Sequence, residues 1–123
     1  MRKQRETIFH RIGGFASVSG VVSDFYSNVL DSDVLRPYFS GVNMAKQIDH
    51  QTTFVASLMG GPSSYTDEHL QRVHVHLKIT PAAFSEMIVV FRETLEDHGL
   101  DETDIGLVIG EMNARRAFIV QES

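Results

Sequence analysis

The sequence predicts an all-α fold in a single domain. Apolar residues recur at three- and four-residue spacing through most of the chain, which is typical of amphipathic helices. No segment shows the strict apolar–polar alternation of a half-buried strand. At 123 residues, the chain is long enough for one hydrophobic core and too short for two.

Two long helices are predicted in the first half of the chain. The first covers residues 15–31, where the apolar stripe consists of Val18, Val21, Val22, Phe25, Tyr26, Val29 and Leu30. A short helical turn is expected over residues 33–38. The second long helix covers residues 43–59 and ends before Gly60-Gly61-Pro62, because glycine and proline favour helix termination.

Capping signals divide the second half into three further helices. Asp67 is a candidate N-cap for a brief helix that carries His74. Thr80 followed by Pro81 predicts the start of a helix that ends near Gly99. Asp101 is expected to cap the last helix. The predicted domain is therefore 1–123, with an N-terminal extension at 1–7 and a C-terminal tail at 118–123.

Composition excludes several classes of function. The chain has no cysteine, so disulfides, thiolate nucleophiles and zinc–thiolate sites are ruled out. A net charge of −5 argues against a nucleic-acid partner, which requires a concentrated basic surface. No apolar run reaches the roughly 18 residues that span a bilayer. The basic first residues lead into no apolar signal core, so a cytoplasmic protein is expected.

Three polar side chains lie on apolar helix faces. Gln47 and Gln51 are about 40° apart on the helical wheel, on the stripe that also carries Phe54. Tyr26 lies similarly among the apolar residues of the first long helix. Buried amides and hydroxyls need hydrogen-bond partners. Either these residues bond to one another and to backbone carbonyls, or they line a small polar cavity that orients a ligand.

Histidine provides a second candidate site. His74 shares a helical face with Leu70, Val73 and Leu77, whereas His76 lies about 200° away and is expected to face solvent. A histidine on an apolar face is either a core residue with satisfied hydrogen bonds or a metal ligand. The two histidines would share a face on a strand, but the helical pattern argues against a joint metal site.

The ordered set of motifs resembles the truncated haemoglobins, the two-over-two helical globins, and among them group I. The resemblance runs from about residue 8 to residue 112. Its motifs are Ile12-Gly13-Gly14, Asp24-Phe25-Tyr26, Val29-Leu30, the stretch from Pro37 to Gln51, Gly60-Gly61-Pro62 with Tyr65-Thr66, and Val73-His74 leading to Ile79-Thr80. Taken singly these motifs are weak, but their order and spacing together are specific.

The resemblance implies a bound haem with a role for each matching residue. His74 is the implied proximal iron ligand, and Phe39 packs against the haem plane. Tyr26, Gln47 and Gln51 are the implied distal donors to a bound gas. His50 either binds iron as a sixth ligand or bonds to a propionate or water. Donors to the propionates are Lys46, Tyr65 and Arg72. The implied pocket is completed by Met44, Phe54, Leu58, Leu70, Val73, Leu77, Ile79, Phe84, Met87 and Met112.

These residues imply a gas-binding function. The expected activity is reversible binding of O₂, CO or NO by non-covalent haem b, since no histidine follows His98 to attach the haem covalently. A nitric oxide dioxygenase served by an external reductase is the alternative, with peroxidase-like chemistry and a haem-free helical interaction module as further ones. Val55 stands where some relatives carry a phenylalanine proposed to gate a ligand tunnel, so such gating is not expected here.

Overall fold

The computed structural model of the chain describes residues 7–61 and 79–120. Within these ranges the regular structure is helical, with a single parallel backbone bridge between Ile79 and Val120. The prediction of an all-α fold is confirmed. The helices are α1 (Ile8–Ile12), α2 (Phe15–Leu30), a 3₁₀ helix (Arg36–Phe39), α3 (Met44–Leu58), α4 (Pro81–Asp97), α5 (Glu102–Ala114) and α6 (Arg116–Ile119).

Side-chain caps fix where the three helices α3, α4 and α5 begin. The side chains of Asn43, Thr80 and Asp101 each accept a hydrogen bond from the backbone N–H three residues further on. Such caps satisfy an N–H group that has no partner within the helix. Thr80 and Asp101 were predicted as caps from the sequence. Gly99, with a φ of 84°, follows α4 in a left-handed conformation that favours glycine.

Helix α2 is the central packing element. It contacts both α3 and α4, while α5 packs against α4 and α3. The face of α2 that meets its neighbours is completely buried: Val18 and Val22 have no exposed surface, and Val21 and Val29 have 1%. Full burial of a valine side chain contributes about 1.5–3 kcal/mol. The helices therefore assemble around α2, as its apolar periodicity predicts.

The chain differs from the sequence expectation at its C-terminal end. The expected tail begins at residue 118, yet the helical turn α6 runs to Ile119 and Val120 is 93% buried, with 7% of its surface exposed. The bridge from Val120 to Ile79 joins this end to the segment before α4. The helix predicted after Asp67 lies outside the described residues. No helix in the described part is long and apolar enough to cross a membrane.

A bidentate ion pair ties α1 to α5. Arg11 donates to both carboxylate oxygens of Asp104 at 2.7 and 2.9 Å, and the Asp104 side chain is 9% exposed. The hydrogen bonds and positive charge of Arg11 lower the pKa of Asp104 below its ordinary value of 3.8, although desolvation acts in the opposite direction. Asp104 also lies in the first turn of α5, where negative charge is favoured.

Replacing this carboxylate is expected to destabilise the fold in a pH-dependent way. We expect Asp104→Asn to lower the free energy of unfolding by about 1–3 kcal/mol at pH 7, the range for charged hydrogen bonds. Because the folded-state pKa is lowered, this contribution is complete above the unfolded-state pKa and is lost as pH falls through the folded-state value. Urea unfolding between pH 3 and pH 7 measures the difference.

The exposed Arg92–Glu102 pair provides the control for this experiment. Its side chains are 39% and 74% exposed, so Glu102→Gln should change stability by less than about 1 kcal/mol. If the difference in unfolding free energy between wild type and Asp104→Asn stays constant from pH 7 to pH 3, the lowered pKa of Asp104 is wrong.

Candidate functional site

A cavity of about 760 Å³, including its opening to solvent, lies between the helices. Helices α2, α3, α4 and α5 contribute to its wall, as do the 3₁₀ helix and Ile79. The described lining residues are Val22, Phe25, Tyr26, Val29, Leu35, Tyr38, Phe39, Gln47, Gln51, Phe54, Val55, Ile79, Ala83, Met87, Phe91 and Met112.

Tyr26, Gln47 and Gln51 form the polar part of this wall. The amide Nε2 of Gln47 donates to the Tyr26 hydroxyl oxygen at 3.3 Å. The Gln51 side chain makes no hydrogen bond with the part of the chain that the structure describes. Both interpretations of the sequence therefore apply in part: two of the three residues bond to each other, and all three border a cavity.

Local geometry explains how these side chains reach the cavity. Gln47 and Gln51 are one helical turn apart on α3, so they face the same direction. The ring of Tyr26 meets that of Phe39 edge-on, with centroids 5.4 Å apart, and meets Phe25 in the same way at 5.1 Å. These contacts favour a fixed ring position. Tyr26 is only 6% exposed, so its hydroxyl is held in a largely apolar environment.

The structure places the other predicted pocket residues in three kinds of surroundings. Phe39, Phe54, Ile79, Met87 and Met112 line the cavity with the polar set. Leu58 and Phe84, at 5% and 2% exposure, are buried in the core but are not among the lining residues. Met44 is half-buried and Lys46 is exposed, both in the first turn of α3.

The structure leaves His50 outside the cavity wall. His50 is exposed on α3 and is not among the lining residues, although Gln47 and Gln51 on either side of it are. Several predicted residues lie outside the described part of the chain. They are Tyr65, Leu70, Arg72, Val73, His74 and Leu77.

Several lining residues were not predicted as part of the pocket. Tyr38 in the 3₁₀ helix borders the cavity, and its hydroxyl accepts a hydrogen bond from the Thr80 N–H at 3.5 Å. A four-residue element is too short to show helical periodicity, so the direction of the Tyr38 side chain was not predictable. Leu35 lies in the helical turn expected over residues 33–38, for which no buried face was predicted. The remaining ones belong to predicted apolar faces: Val22, Phe25, Val29, Val55, Ala83 and Phe91.

The arrangement suits a large apolar cofactor with a small polar ligand on one side. Aromatic and aliphatic side chains form most of the wall, and the hydrogen-bonding groups of Tyr26, Gln47 and Gln51 come from two adjacent helices. An apolar wall with a few convergent polar groups is the usual composition of a cofactor site. The residues present therefore fit a large apolar cofactor such as haem.

Comparisons with known proteins agree with this geometry. Residues 7–120 match the family model of the bacterial-like globins. A group 1 truncated haemoglobin of Tetrahymena thermophila is 33% identical over 106 residues, which cover 86% of this chain and 87% of that protein.

Solved structures show the same fold. The Fe(III) form of the truncated haemoglobin from Tetrahymena pyriformis has a TM-score of 0.85 at 24% identity, covering 95% of this chain and 100% of that one. A Synechococcus 2/2 haemoglobin with covalently attached haem has a TM-score of 0.81 at 23% identity, covering 93% and 98%. The predicted two-over-two helical arrangement is confirmed by these likenesses.

Proposed function

The chain belongs to the bacterial-like globin family and, within it, to the group 1 truncated haemoglobins, and from this membership we propose that it reversibly binds O₂. Membership of the family implies haem. Our proposal adds that the haem is a non-covalent haem b, that CO and NO bind at the same place, and that the protein is cytoplasmic. The observation that carries it is the Gln47–Tyr26 hydrogen bond at the wall of an apolar cavity.

His74 is the proposed iron ligand, Phe39 is the proposed contact of the haem plane, and Phe54, Ile79, Met87 and Met112 are the proposed lining of the haem pocket. Bound haem supplies a ferrous iron that takes a diatomic gas. Non-covalent binding is supported by the absence of histidine from residues 99–123. Lys46, exposed at the start of α3, is a proposed donor to a propionate, because propionates need cationic or polar donors.

The hydrogen bond between Gln47 and Tyr26 holds two of the proposed donors side by side at the cavity wall. Gln47 donates through its amide to the tyrosine oxygen. A phenolic hydroxyl can accept one hydrogen bond and donate another, so Tyr26 is the proposed donor to the bound gas. Gln51 adds an amide on the same helical face. A bound gas that gains negative charge is stabilised by such donors, more strongly in a dry pocket than in water.

A nitric oxide dioxygenase is the alternative function at the same site. Donors that stabilise negative charge on bound O₂ also favour its reaction with NO to give nitrate. Turnover consumes electrons, so this function includes an external reductase as a partner. The rate at which the O₂-bound protein consumes NO, measured with and without a reductant, distinguishes it from simple reversible binding.

Removing the Tyr26 hydroxyl is expected to accelerate O₂ release. A hydrogen bond to a charged group contributes about 1.5–3 kcal/mol, which corresponds to roughly ten- to hundredfold in the dissociation rate. We therefore expect Tyr26→Phe to raise the O₂ dissociation rate by at least about tenfold, with a much smaller effect on CO. Stopped-flow displacement of O₂ and CO measures both rates.

Tyr38→Phe is the matched control, since it removes the other described tyrosine hydroxyl of the cavity. That hydroxyl bonds to the Thr80 N–H, so its loss should leave O₂ release nearly unchanged. Small and equal effects of Tyr26→Phe on O₂ and CO would show that Tyr26 does not donate to bound O₂.

His50 is proposed as an internal sixth ligand that competes with the gas. Imidazole binds haem iron well, and His50 is adjacent in sequence to Gln51 in the cavity wall. Because His50 is exposed here, ligation requires a rotation of its side chain with a local shift of α3. We expect the gas-free ferrous protein to be partly six-coordinate, with slow, biphasic gas association that becomes fast and single-phase in His50→Ala.

Resonance Raman spectra of the ferrous protein show whether His50 binds the iron. Low-spin six-coordinate marker bands that disappear in His50→Ala support the proposal. A purely five-coordinate high-spin spectrum that the substitution leaves unchanged at neutral pH would rule it out.

A further inference from the structure

Two methionine side chains border the cavity, on a different pair of helices from the polar set. Met87 lies on α4 and Met112 on α5, whereas Tyr26 and Gln47 lie on α2 and α3. Met112 is 5% exposed and Met87 is half-buried. Met59 is 2% exposed but is not among the lining residues. Because Met59 and Met112 are both buried and only Met112 lines the cavity, their reactivities distinguish the effect of burial from that of cavity position.

Thioether sulfur is the most readily oxidised side-chain group in this chain, because the sequence contains no cysteine. Bulk oxidants react with methionine according to its exposure, and the low exposure of Met112 protects it from them. An oxidant that reacts inside the cavity meets the thioethers of the wall first. The position of Met112 in the cavity wall therefore predicts faster oxidation than its burial alone would allow.

We propose that Met87 and Met112 are oxidation sites at which a hydroperoxide admitted to the cavity is reduced. This inference rests on the proposed haem function, since bound haem would supply the iron chemistry that activates a peroxide. One oxygen atom passes to the sulfur Sδ, with an S–O bond formed and the O–O bond broken. The sulfur gives up two electrons, and the proton of the transferred oxygen leaves with the second oxygen as water or an alcohol.

Oxidation at these positions makes the cavity sensitive to peroxide. A sulfoxide is polar and chiral, and its oxygen requires a hydrogen-bond partner in a wall made mostly of Phe54, Val55, Phe91 and similar residues. Helix α5, which carries Met112, packs against both α3 and α4. Modification there weakens the wall that holds the haem. Methionine sulfoxide reductases reverse the change, so the pair acts as a reversible switch.

Peptide mass spectrometry of the haem-bound protein treated with H₂O₂ tests the proposal. We expect sulfoxide to form at Met87 and Met112 at least about tenfold faster than at Met59, which is as well buried as Met112. Blocking the iron with cyanide beforehand is expected to slow both cavity sites severalfold and to leave Met59 unchanged. Equal rates at Met112 and Met59, or rates that cyanide does not affect, would overturn the proposal.

Leucine variants provide an independent measurement. Leucine is close to methionine in volume and cannot form a sulfoxide. After the same peroxide dose, wild type is expected to transfer its remaining haem to apomyoglobin faster than the Met87→Leu/Met112→Leu double variant does, because only wild type carries sulfoxide in the wall. Met59→Leu is the matched control and should release haem as wild type does. If the double variant does not fold, Met87→Leu alone replaces it, with a smaller retardation expected. Haem transfer from the leucine variants at the wild-type rate contradicts the switch.

The Soret band before treatment distinguishes failure of the methionine proposal from failure of the proposed haem function. Wild-type protein with a normal Soret band but no selective oxidation overturns the methionine proposal and leaves haem binding intact. Protein that takes up no haem at all overturns the proposed function, and the methionine proposal with it.

Discussion

The cavity constrains the rest of the structure. An apolar cavity lies among the helices of a 123-residue chain, between the same apolar faces that form its core. Protein interiors are close-packed, so a group that fills such a cavity gains dispersion contacts with its wall. A bound cofactor therefore completes the core of this protein in addition to performing its chemistry. Stability and function depend on the same wall.

Helix α2 contributes both to the packing of the helices and to the cavity wall. Val18 and Val21 are buried against neighbouring helices. From Val22 onward, the helix contributes Val22, Tyr26 and Val29 to the cavity. The hydrogen bond from Gln47 compensates for the burial of the Tyr26 hydroxyl, which would otherwise be costly. The same helix therefore carries core packing and part of the polar wall.

Periodicity and capping residues made most of the fold predictable. The faces of α2 and α3 identified Tyr26, Gln47 and Gln51 as polar groups directed to the interior, and all three border the cavity. The same reasoning did not separate Leu58, which is in the core, from Val55, which lines the cavity. A helical wheel shows which side faces inward, but the boundary between core and cavity depends on how four helices meet.

Other features depended on contacts between distant parts of the chain. Tyr38 lies in a 3₁₀ helix too short to show a face, and the burial of Val120 depends on its bridge to Ile79. His74 was predicted as the iron ligand only through the resemblance to a known family, because a histidine on an apolar face is more often a core residue than a ligand. The polar wall was deduced from the residues themselves, and the iron ligand was not.

Titration of the haem-free protein with haemin, followed by its Soret band and melting temperature, tests the central claim most directly. The account predicts saturation at one equivalent with a sharp Soret band and a raised melting temperature, because a ligand of the folded state stabilises it. His74→Ala should abolish stable uptake, whereas His76→Ala should leave the band nearly intact. Normal uptake by His74→Ala together with loss in His76→Ala would contradict the account.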